Sequence, residues 1–300
     1  MTNPFRLQSG SMFERPEEKM QEKPLRIIFL SVEGNETEAS YLSFVNKYRD
    51  MLNIKTCVHI HTLKRAKSDT KSAPRDVLEL LEEYVDLRKT VNLPERIRRL
   101  IPDKYSEEFI RTYLEEKDML DFAQKKQFES LLRQVGIDLA YEHFLHTYTG
   151  EDDIFGVVID RDHDAHTITQ LKDIMKQCTA NGYKIFITTP LFEFWLLLHL
   201  ADIKKDYADR LEDFRTNPKT SNKHTMVSYE VSKIAGHSKK LSETKFKTFY
   251  LPKIDYAIKQ ANEAFCTNIE QLIGNEGDED NEFGLLGSNF PELFELLREI

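Results

Sequence analysis

The chain has 300 residues, of which 40% are hydrophobic and 31% charged, and its formal net charge is −9 at pH 7. These values are typical of a soluble globular protein and exclude a disordered one. Because overall positive charge is absent, nucleic acid would have to bind through local basic patches or a metal ion. The three cysteines, Cys57, Cys178 and Cys266, are far apart, which argues against a disulfide framework and a zinc site and fits a reducing, cytoplasmic compartment.

Residues 1–23 are polar and charged and lack the apolar core of a signal peptide. We expect them to form a flexible N-terminus. The longest apolar stretch, 191–203, is too short to span a bilayer and includes two acidic residues. The sequence therefore predicts no membrane association.

The first elements follow a β-α-β order. Residues 25–31 are typical of a buried strand, 36–51 have the apolar spacing of a helix, and 56–62 alternate like a second strand. This order favours a parallel pair of strands. A basic loop follows at 64–75.

A long charged region then interrupts the sheet. Its spacing predicts helices over 75–91, 106–133 and 137–146, and it contains no strand pattern. We interpret it as a helical insertion.

The sheet resumes in the second half of the chain. Strands are predicted at 153–159 and 183–189, separated by a helix at 165–178. Pro190 suits the first position of the next helix.

The last third of the sequence is predicted to be helical. A helix is expected over 252–273 and another over 291–300, with Ser288 and Asn289 as candidates to cap it. We divide the chain into four predicted regions. They are a flexible N-terminus at 1–23, an α/β core at 24–72 and 147–205, a helical insertion at 73–146, and a helical C-terminal region at 206–300 with an acidic linker at 274–282.

Two acidic sequences follow predicted strands. Glu33 and Gly34 follow the first strand, and Asp160 and Asp162 follow the third. Ligands of parallel α/β sheets bind beyond the carboxyl ends of the strands. Residues i and i+2 on extended backbone share a face, so Asp160 and Asp162 are expected to project together. Glu33 could also simply cap the next helix.

Adjacent carboxylates repel each other, and a hard divalent cation such as Mg²⁺ relieves that repulsion. An EF-hand loop does not fit, because Ala165 and Leu171 stand where it needs Gly and Glu. No phosphate-binding P-loop, GxGxxG or GxSxG sequence is present either.

Glu193 stands alone among large apolar residues after the fourth predicted strand. It either forms a salt bridge in the core or reaches the same crevice as a further ligand. His163 lies between the aspartates and is the histidine that we expect to touch a phosphate.

Together these pieces resemble the RloB-like family. The resemblance rests on residues 32–38 (VEGNETE) with Tyr41 after them, on 158–162 (VIDRD) and on 189–199 (TPLFEFWLLLH). Residues 289–297 resemble a degraded form of the family's closing helix.

The family resembles TOPRIM domains, in which a strand-end glutamate and a later DxD share a metal site. The resemblance implies a TOPRIM-like Rossmannoid α/β fold, a parallel sheet flanked by helices. It implies that Glu33, Asp160 and Asp162 bind Mg²⁺, with Mn²⁺ as a substitute, and catalyse phosphodiester hydrolysis. Gly34, Glu38, Glu193 and His163 are expected around them. The helical insertion separates Glu33 from Asp160 by more than in a minimal TOPRIM domain.

The resemblance also implies a cellular role. Family members are associated with phage defence and are often encoded beside an ABC/SMC-like ATPase, and related effectors cut nucleic acid, including tRNA. The expected protein is an antiviral nuclease that causes abortive infection under control of such a partner, and a homo-oligomer is compatible with the sequence. The substrate, RNA or DNA, would be steered by basic residues, namely Lys64, Arg65, Lys67, Lys71, Arg75, Lys239, Lys240, Lys245 and Lys247. Each basic cluster could instead be ordinary solvated surface.

Two other functions remain open from the sequence. A regulatory subunit would use the fold to dock an ATPase, which the acidic net charge and the insertion favour, but docking alone does not require three strand-end carboxylates. A different Mg²⁺-dependent phosphotransfer is less favoured, because no Gly-rich loop is present to cradle a nucleotide.

Overall fold

The computed structural model describes residues 26–34, 36–55, 58–63, 73–89, 92–101, 104–134, 139, 143, 152–222, 224–236, 241–278 and 281–299. The chain divides into two compact units, one including residues 86–150 and the other formed by 26–85 and 151–300. The predicted N-terminal segment 1–23 and Cys57 lie outside the described residues.

The larger unit is built on a five-stranded sheet. Its strands are β1 (Arg26–Val32), β2 (Val58–Thr62), β3 (Ile154–Asp160), β4 (Lys184–Thr189) and β5 (Gly287–Ser288). The order is β2-β1-β3-β4-β5; the first four strands are parallel, and the short β5 is antiparallel to β4. The predicted mixed α/β fold with a mostly parallel sheet flanked by helices is confirmed, and each of the four predicted strands is present.

Several helices lie between these strands, and one of them, Leu93–Leu100, was not predicted from the sequence. They are α1 (Thr37–Lys47), α2 (Pro74–Lys89), α3 (Leu93–Leu100), α4 (Glu107–Glu115), α5 (Phe122–Gln134), α6 (Ile168–Asn181) and α7 (Phe192–Leu200). Helix α7 has buried residues on all sides, since it lies between the sheet and the C-terminal helices. This explains why it is apolar throughout its length.

The smaller unit contains α3, α4 and α5. Its core includes Tyr105, Phe109 and Phe128, whose ring centroids lie 4.8–5.2 Å apart. The single helix predicted over 106–133 is wrong, because the chain breaks between α4 and α5, where Asp121 accepts hydrogen bonds from the backbone of the first turn of α5. Most of the helix predicted over 137–146 lies outside the described residues.

The C-terminal part of the larger unit is helical but more broken than predicted. Its helices are α8 (Ile203–Asp206), α9 (Leu211–Thr216), α10 (Met226–Ala235), α11 (Ile254–Ala264), α12 (Ile269–Ile273) and α13 (Pro291–Arg298). The single helix predicted over 252–273 is wrong. The chain leaves helical geometry at Phe265 because Cys266 pairs its backbone with the segment around Gly287.

Two local predictions near the sheet are also wrong. Pro190 does not begin a helix; it follows a cis peptide bond, and α7 begins two residues later. Asn289 does not cap α13. Its side chain bonds to the backbone of Ile185 and Ile187 at the edge of β4, so it replaces a strand neighbour instead.

Among the described residues, no helix is long and apolar enough to cross a membrane.

Candidate active site

The parallel strands bring the acidic sequences together at one edge of the sheet. Val158 is the partner of Val32, and Asp160 is the partner of Thr188. The turn after β1 therefore lies beside the end of β3, and the N–H of Glu33 donates to the carbonyl of Val158 over 3.1 Å. The N–H of Asp160 in turn donates to Oε2 of Glu33 over 3.1 Å. Glu33 thus spans the gap between β1 and β3.

Asp160 faces the start of α7. Its Oδ1 accepts a hydrogen bond of 2.8 Å from the N–H of Phe192. Burial, followed by the charges of Glu33, Glu38 and Glu193, raises the pKa of Asp160 well above its usual value. The ionised carboxylate is therefore unfavourable here unless a cation lies beside it.

Glu38, in the first turn of α1, is buried against Gly34. Its carboxylate occupies the space that a Cβ atom at position 34 would take, so this turn requires glycine for a close approach. Burial, together with the charges of Glu193 and then Glu33, raises the pKa of Glu38 to about 7, against the opposing effect of hydrogen bonds from the backbone of Glu38 and Gly34.

Glu193, in the first turn of α7, completes the group. Burial raises its pKa, its own backbone N–H opposes this effect, and the charge of Asp162 adds to it. No ion pair joins Glu193 to a cation among the residues that the structure describes. Glu193 acts electrostatically on Glu38 and Asp160, and its role as a further ligand stays a prediction. We call Glu33, Glu38, Asp160 and Glu193 the carboxylate cluster.

Asp162 lies on the turn after β3 and is only half-buried. Its Oδ1 accepts from the N–H of Asp164 over 3.2 Å, and its N–H donates to the carbonyl of Pro190. The strand β3 ends at Asp160, so Asp162 lies two residues beyond it. Asp162 therefore stands at the rim of the carboxylate cluster.

As the side chains stand, no three His, Cys, Asp or Glu residues in the described part of the chain are arranged to hold a metal ion. The carboxylate cluster is instead a set of oxygen donors with unfavourable mutual charge.

Comparison with known proteins identifies the family. The model of the RloB-like protein family matches residues 28–278, which is most of the chain. The chain belongs to the RloB-like family. No curated protein and no solved structure matches it. The matched span contains every member of the carboxylate cluster.

The RloB-like chain also places a histidine at this site that the sequence analysis did not select. His166 is buried, and its Nε2 lies 2.9 Å from Oε1 of Glu33. Burial lowers the pKa of His166, but the hydrogen bond to Glu33 and the charges of Glu33 and Asp162 outweigh that effect and raise it. The sequence does contain a signal for His166. It directly precedes Thr167, the N-cap of α6, and so lies in the turn that carries the aspartates.

His163, which was expected to touch a phosphate, lies at the surface of the same turn. Its Nε2 is 3.2 Å from Oδ1 of Asp164, and its ring packs edge-on against Phe283. Its role as a phosphate contact stays a prediction.

Arg161 fixes the turn that carries the aspartates. Its buried guanidinium donates to the backbone carbonyls of Ile273, His166 and Glu282 over 2.6, 3.0 and 3.0 Å. Three neutral acceptors therefore hold the positive charge, and Arg161 is directed away from the crevice as a structural residue.

A buried hydrogen bond joins the two helices that carry Glu38 and Glu193. Nδ1 of His199 lies 2.9 Å from the carbonyl of Trp195 and must donate to it, so Nε2 accepts from the hydroxyl of Tyr41 at 3.1 Å. Burial lowers the pKa of His199 to about 3, so the ring is neutral. This explains why the family resemblance includes Tyr41 and His199 beside the acidic residues.

The expected nucleic-acid contacts are mostly not described by the structure. Lys64, Arg65, Lys67, Lys71, Lys239 and Lys240 lie outside the described residues. Of the others, Arg75 pairs with Glu79 at 2.9 Å, Lys245 donates to the carbonyl of Gly236, and Lys247 lies over the ring of Tyr48.

Proposed function

We propose that this RloB-like protein is a divalent-metal-dependent nuclease, a TOPRIM-like hydrolase whose catalytic and metal-binding residues are Glu33, Asp160 and Asp162. The observation that carries the proposal is the carboxylate cluster. Four acidic side chains, from the turn after β1 and from α1, β3 and α7, lie at the carboxyl edge of the sheet, and burial together with nearby carboxylates raises the pKa values of Glu38, Asp160 and Glu193. A protein gains no stability from such an arrangement unless something of opposite charge binds there.

The donor set fits Mg²⁺ or Mn²⁺. Both ions prefer carboxylate oxygens, and Mg²⁺ is commonly held by one or two carboxylates with waters and substrate phosphates. Asp160 and Glu33 would hold the ion, with Asp162 at the rim and Glu193 as a further donor. When bound, the ion would polarise the scissile phosphate and offset the charge that develops during hydrolysis.

The protein's own groups orient this site. The backbone N–H of Phe192 fixes one oxygen of Asp160, and the N–H of Asp160 fixes one oxygen of Glu33. His166 holds the other Glu33 oxygen. Glu33 would then accept a proton from the attacking water or hydroxyl, unless it is fully engaged by the metal.

We further propose that the substrate is nucleic acid, RNA including tRNA, or DNA. The biological role would be that of a toxic effector in anti-phage defence, acting by abortive infection and controlled by an ABC/SMC-like ATPase. This part rests on the family resemblance, and the site chemistry is compatible with it.

The test is cleavage of a panel of a tRNA pool, single-stranded RNA, plasmid DNA and linear DNA with Mg²⁺ or Mn²⁺. Wild type is compared with Asp160→Asn and Glu33→Gln, and Asp164→Asn serves as a matched control on the exposed side of the same turn. We expect metal-dependent cutting that falls at least about a hundredfold in the first two variants and persists in the control. A negative panel is repeated with the proposed ABC/SMC-like ATPase partner.

One observation favours a second candidate, a non-catalytic docking subunit. No three metal-ligating side chains within the described ranges converge as they stand. Absence of cleavage with the ATPase present, or cleavage that survives both substitutions, would count against a nuclease site at these carboxylates and favour the docking subunit.

A further inference from the structure

A cavity of about 680 Å³ adjoins the carboxylate cluster. Gly34, Glu38 and Glu193 line it beside the cluster, and further lining residues come from α7, α10, the loop before α10 and the segment that includes Lys245 and Tyr250. The volume lies within the roughly 300–1,000 Å³ typical of small-molecule sites. It has room for a nucleotide but not for a double helix.

One face of α10 lines the cavity. Ser228, Val231, Ser232 and Ala235 line the cavity at helical spacing, so methyl and hydroxyl groups alternate along it. Leu196 of α7 adds a further apolar side chain to the cavity wall. A nucleobase has this character, with flat apolar faces and hydrogen-bonding edges.

The charge of the lining changes from one end to the other. The end at Glu38 and Glu193 is acidic, whereas Lys219 and Lys245 line other parts of the wall. Lys219 is exposed, and Lys245 donates to the uncharged carbonyl of Gly236 over 2.7 Å. Because the acceptor is uncharged, the positive charge of Lys245 remains available to a phosphate. The acidic end would attract a phosphate only through a bound cation.

We propose that this cavity receives one unpaired nucleotide of a single-stranded substrate and thereby places the adjoining phosphate at the carboxylate cluster. The inference rests on the proposed nuclease function and names its substrate class. A base in a duplex is stacked and paired and would have to be extruded before it could enter. Single strands and loops offer such a base without that penalty.

The test is equilibrium binding by fluorescence anisotropy in Ca²⁺, using a short labelled oligonucleotide of mixed sequence as RNA and as DNA. Each is measured as a single strand and as a blunt duplex with its complement. We expect the single strand to bind about tenfold more tightly than the duplex, as expected when one base is buried against the protein.

Two substitutions on α10 distinguish binding in the cavity from a general effect of adding a tryptophan to this helix. Ser232→Trp fills the cavity, and we expect it to remove the preference for single strands. Ile234→Trp adds the same side chain at an exposed position two residues away, outside the cavity lining, and should leave the preference unchanged. Equal binding of both forms by wild type, or an unchanged preference in a folded Ser232→Trp protein, overturns the inference.

A second variant covers the case in which Ser232→Trp does not fold. Lys219→Gln should weaken single-strand binding severalfold and lower the slope of log affinity against log salt by about one, whereas Lys259→Gln on α11 should change neither. An unchanged slope in Lys219→Gln overturns the inference. Cleavage with no preference for single strands would refute nucleotide binding in the cavity but leave the proposed nuclease function standing. Selective binding of single strands without cleavage in any condition would refute the nuclease function but leave nucleotide binding in the cavity standing.

Discussion

The acidic side chains of this site are held by backbone N–H groups. Phe192 donates to Asp160, and Asp160 donates to Glu33. The carboxylate of Glu38 accepts hydrogen bonds from the backbone of Gly34 and from its own backbone N–H. A peptide N–H carries only a partial charge, so these bonds orient the carboxylates without offsetting their repulsion. The metal-free site should therefore favour protonated carboxyls.

This predicts an unusual pH dependence of stability in EDTA. The pKa of Glu38 is about 7 in the folded protein and near its ordinary value of 4.5 when unfolded. The folded state therefore binds more protons between these values, and the free energy of unfolding should fall as pH rises from 5 to 8. The contribution of Glu38 is about 3 kcal/mol. Glu38→Gln should remove it, which urea unfolding at both pH values would measure.

Glu36→Gln is the matched control, since Glu36 is exposed and lies two residues away. It should retain the wild-type dependence. Parallel pH curves for wild type and Glu38→Gln would show that Glu38 titrates normally.

Gly34→Ala should affect the site more than the fold. The added methyl group displaces the carboxylate of Glu38, whose flexible end can move. We expect a loss of less than about 1 kcal/mol in the free energy of unfolding but at least a tenfold loss of metal-dependent cleavage. The part of the pH dependence due to Glu38 should also shrink. Full activity with an unchanged pH profile would show that the close approach has no functional role.

Between elements, the Tyr41–His199 bond couples α1 to α7 and so keeps Glu38 near Glu193. Tyr41→Phe leaves Nε2 of His199 as a buried acceptor without its donor. We expect the free energy of unfolding to fall by about 1–3 kcal/mol, measured by urea unfolding. Tyr229→Phe, at an exposed position of α10, should change it little. Equal values for the two variants would mean that the Tyr41–His199 bond contributes nothing measurable.

Elements set by their own local sequence could be predicted, whereas elements set by contacts with distant residues could not. Strands β1, β3 and β4 were predictable because each is a mostly apolar run, and β2 because its residues alternate. The end of α11 and the capping of α13 were not, because the backbone of Cys266 pairs with Gly287 and the side chain of Asn289 bonds to the backbone of β4. At the site, parallel strands made the proximity of Glu33 and Asp160 predictable. The contact of His166 with Glu33 depends on how the turn after β3 folds, and spacing alone does not reveal that.

For the whole molecule, a divalent ion that binds the carboxylate cluster should stabilise the fold. An ion at a hundredfold excess over its Kd would add roughly 2.7 kcal/mol to the free energy of unfolding. We therefore expect millimolar Mg²⁺ or Mn²⁺ to raise the Tm of wild type relative to EDTA. Sodium chloride at matched ionic strength controls for screening.

Asp160→Asn should lose this metal-dependent rise in Tm, because it removes a central charged donor but keeps an acceptor for the N–H of Phe192. An equal rise in both proteins would place the bound ion elsewhere on the surface.

The contacts of Arg161 and Asn289 have a consequence for how the chain is made. Arg161 needs the carbonyls of Ile273 and Glu282, and β4 needs Asn289 at its edge. On the ribosome, the turn bearing Asp160 is synthesised more than a hundred residues before these contacts. A nascent chain that has passed Glu193 but not residue 289 therefore carries the whole carboxylate cluster without the contacts that hold its turn, so we expect the site to assemble only after residue 289 has been synthesised.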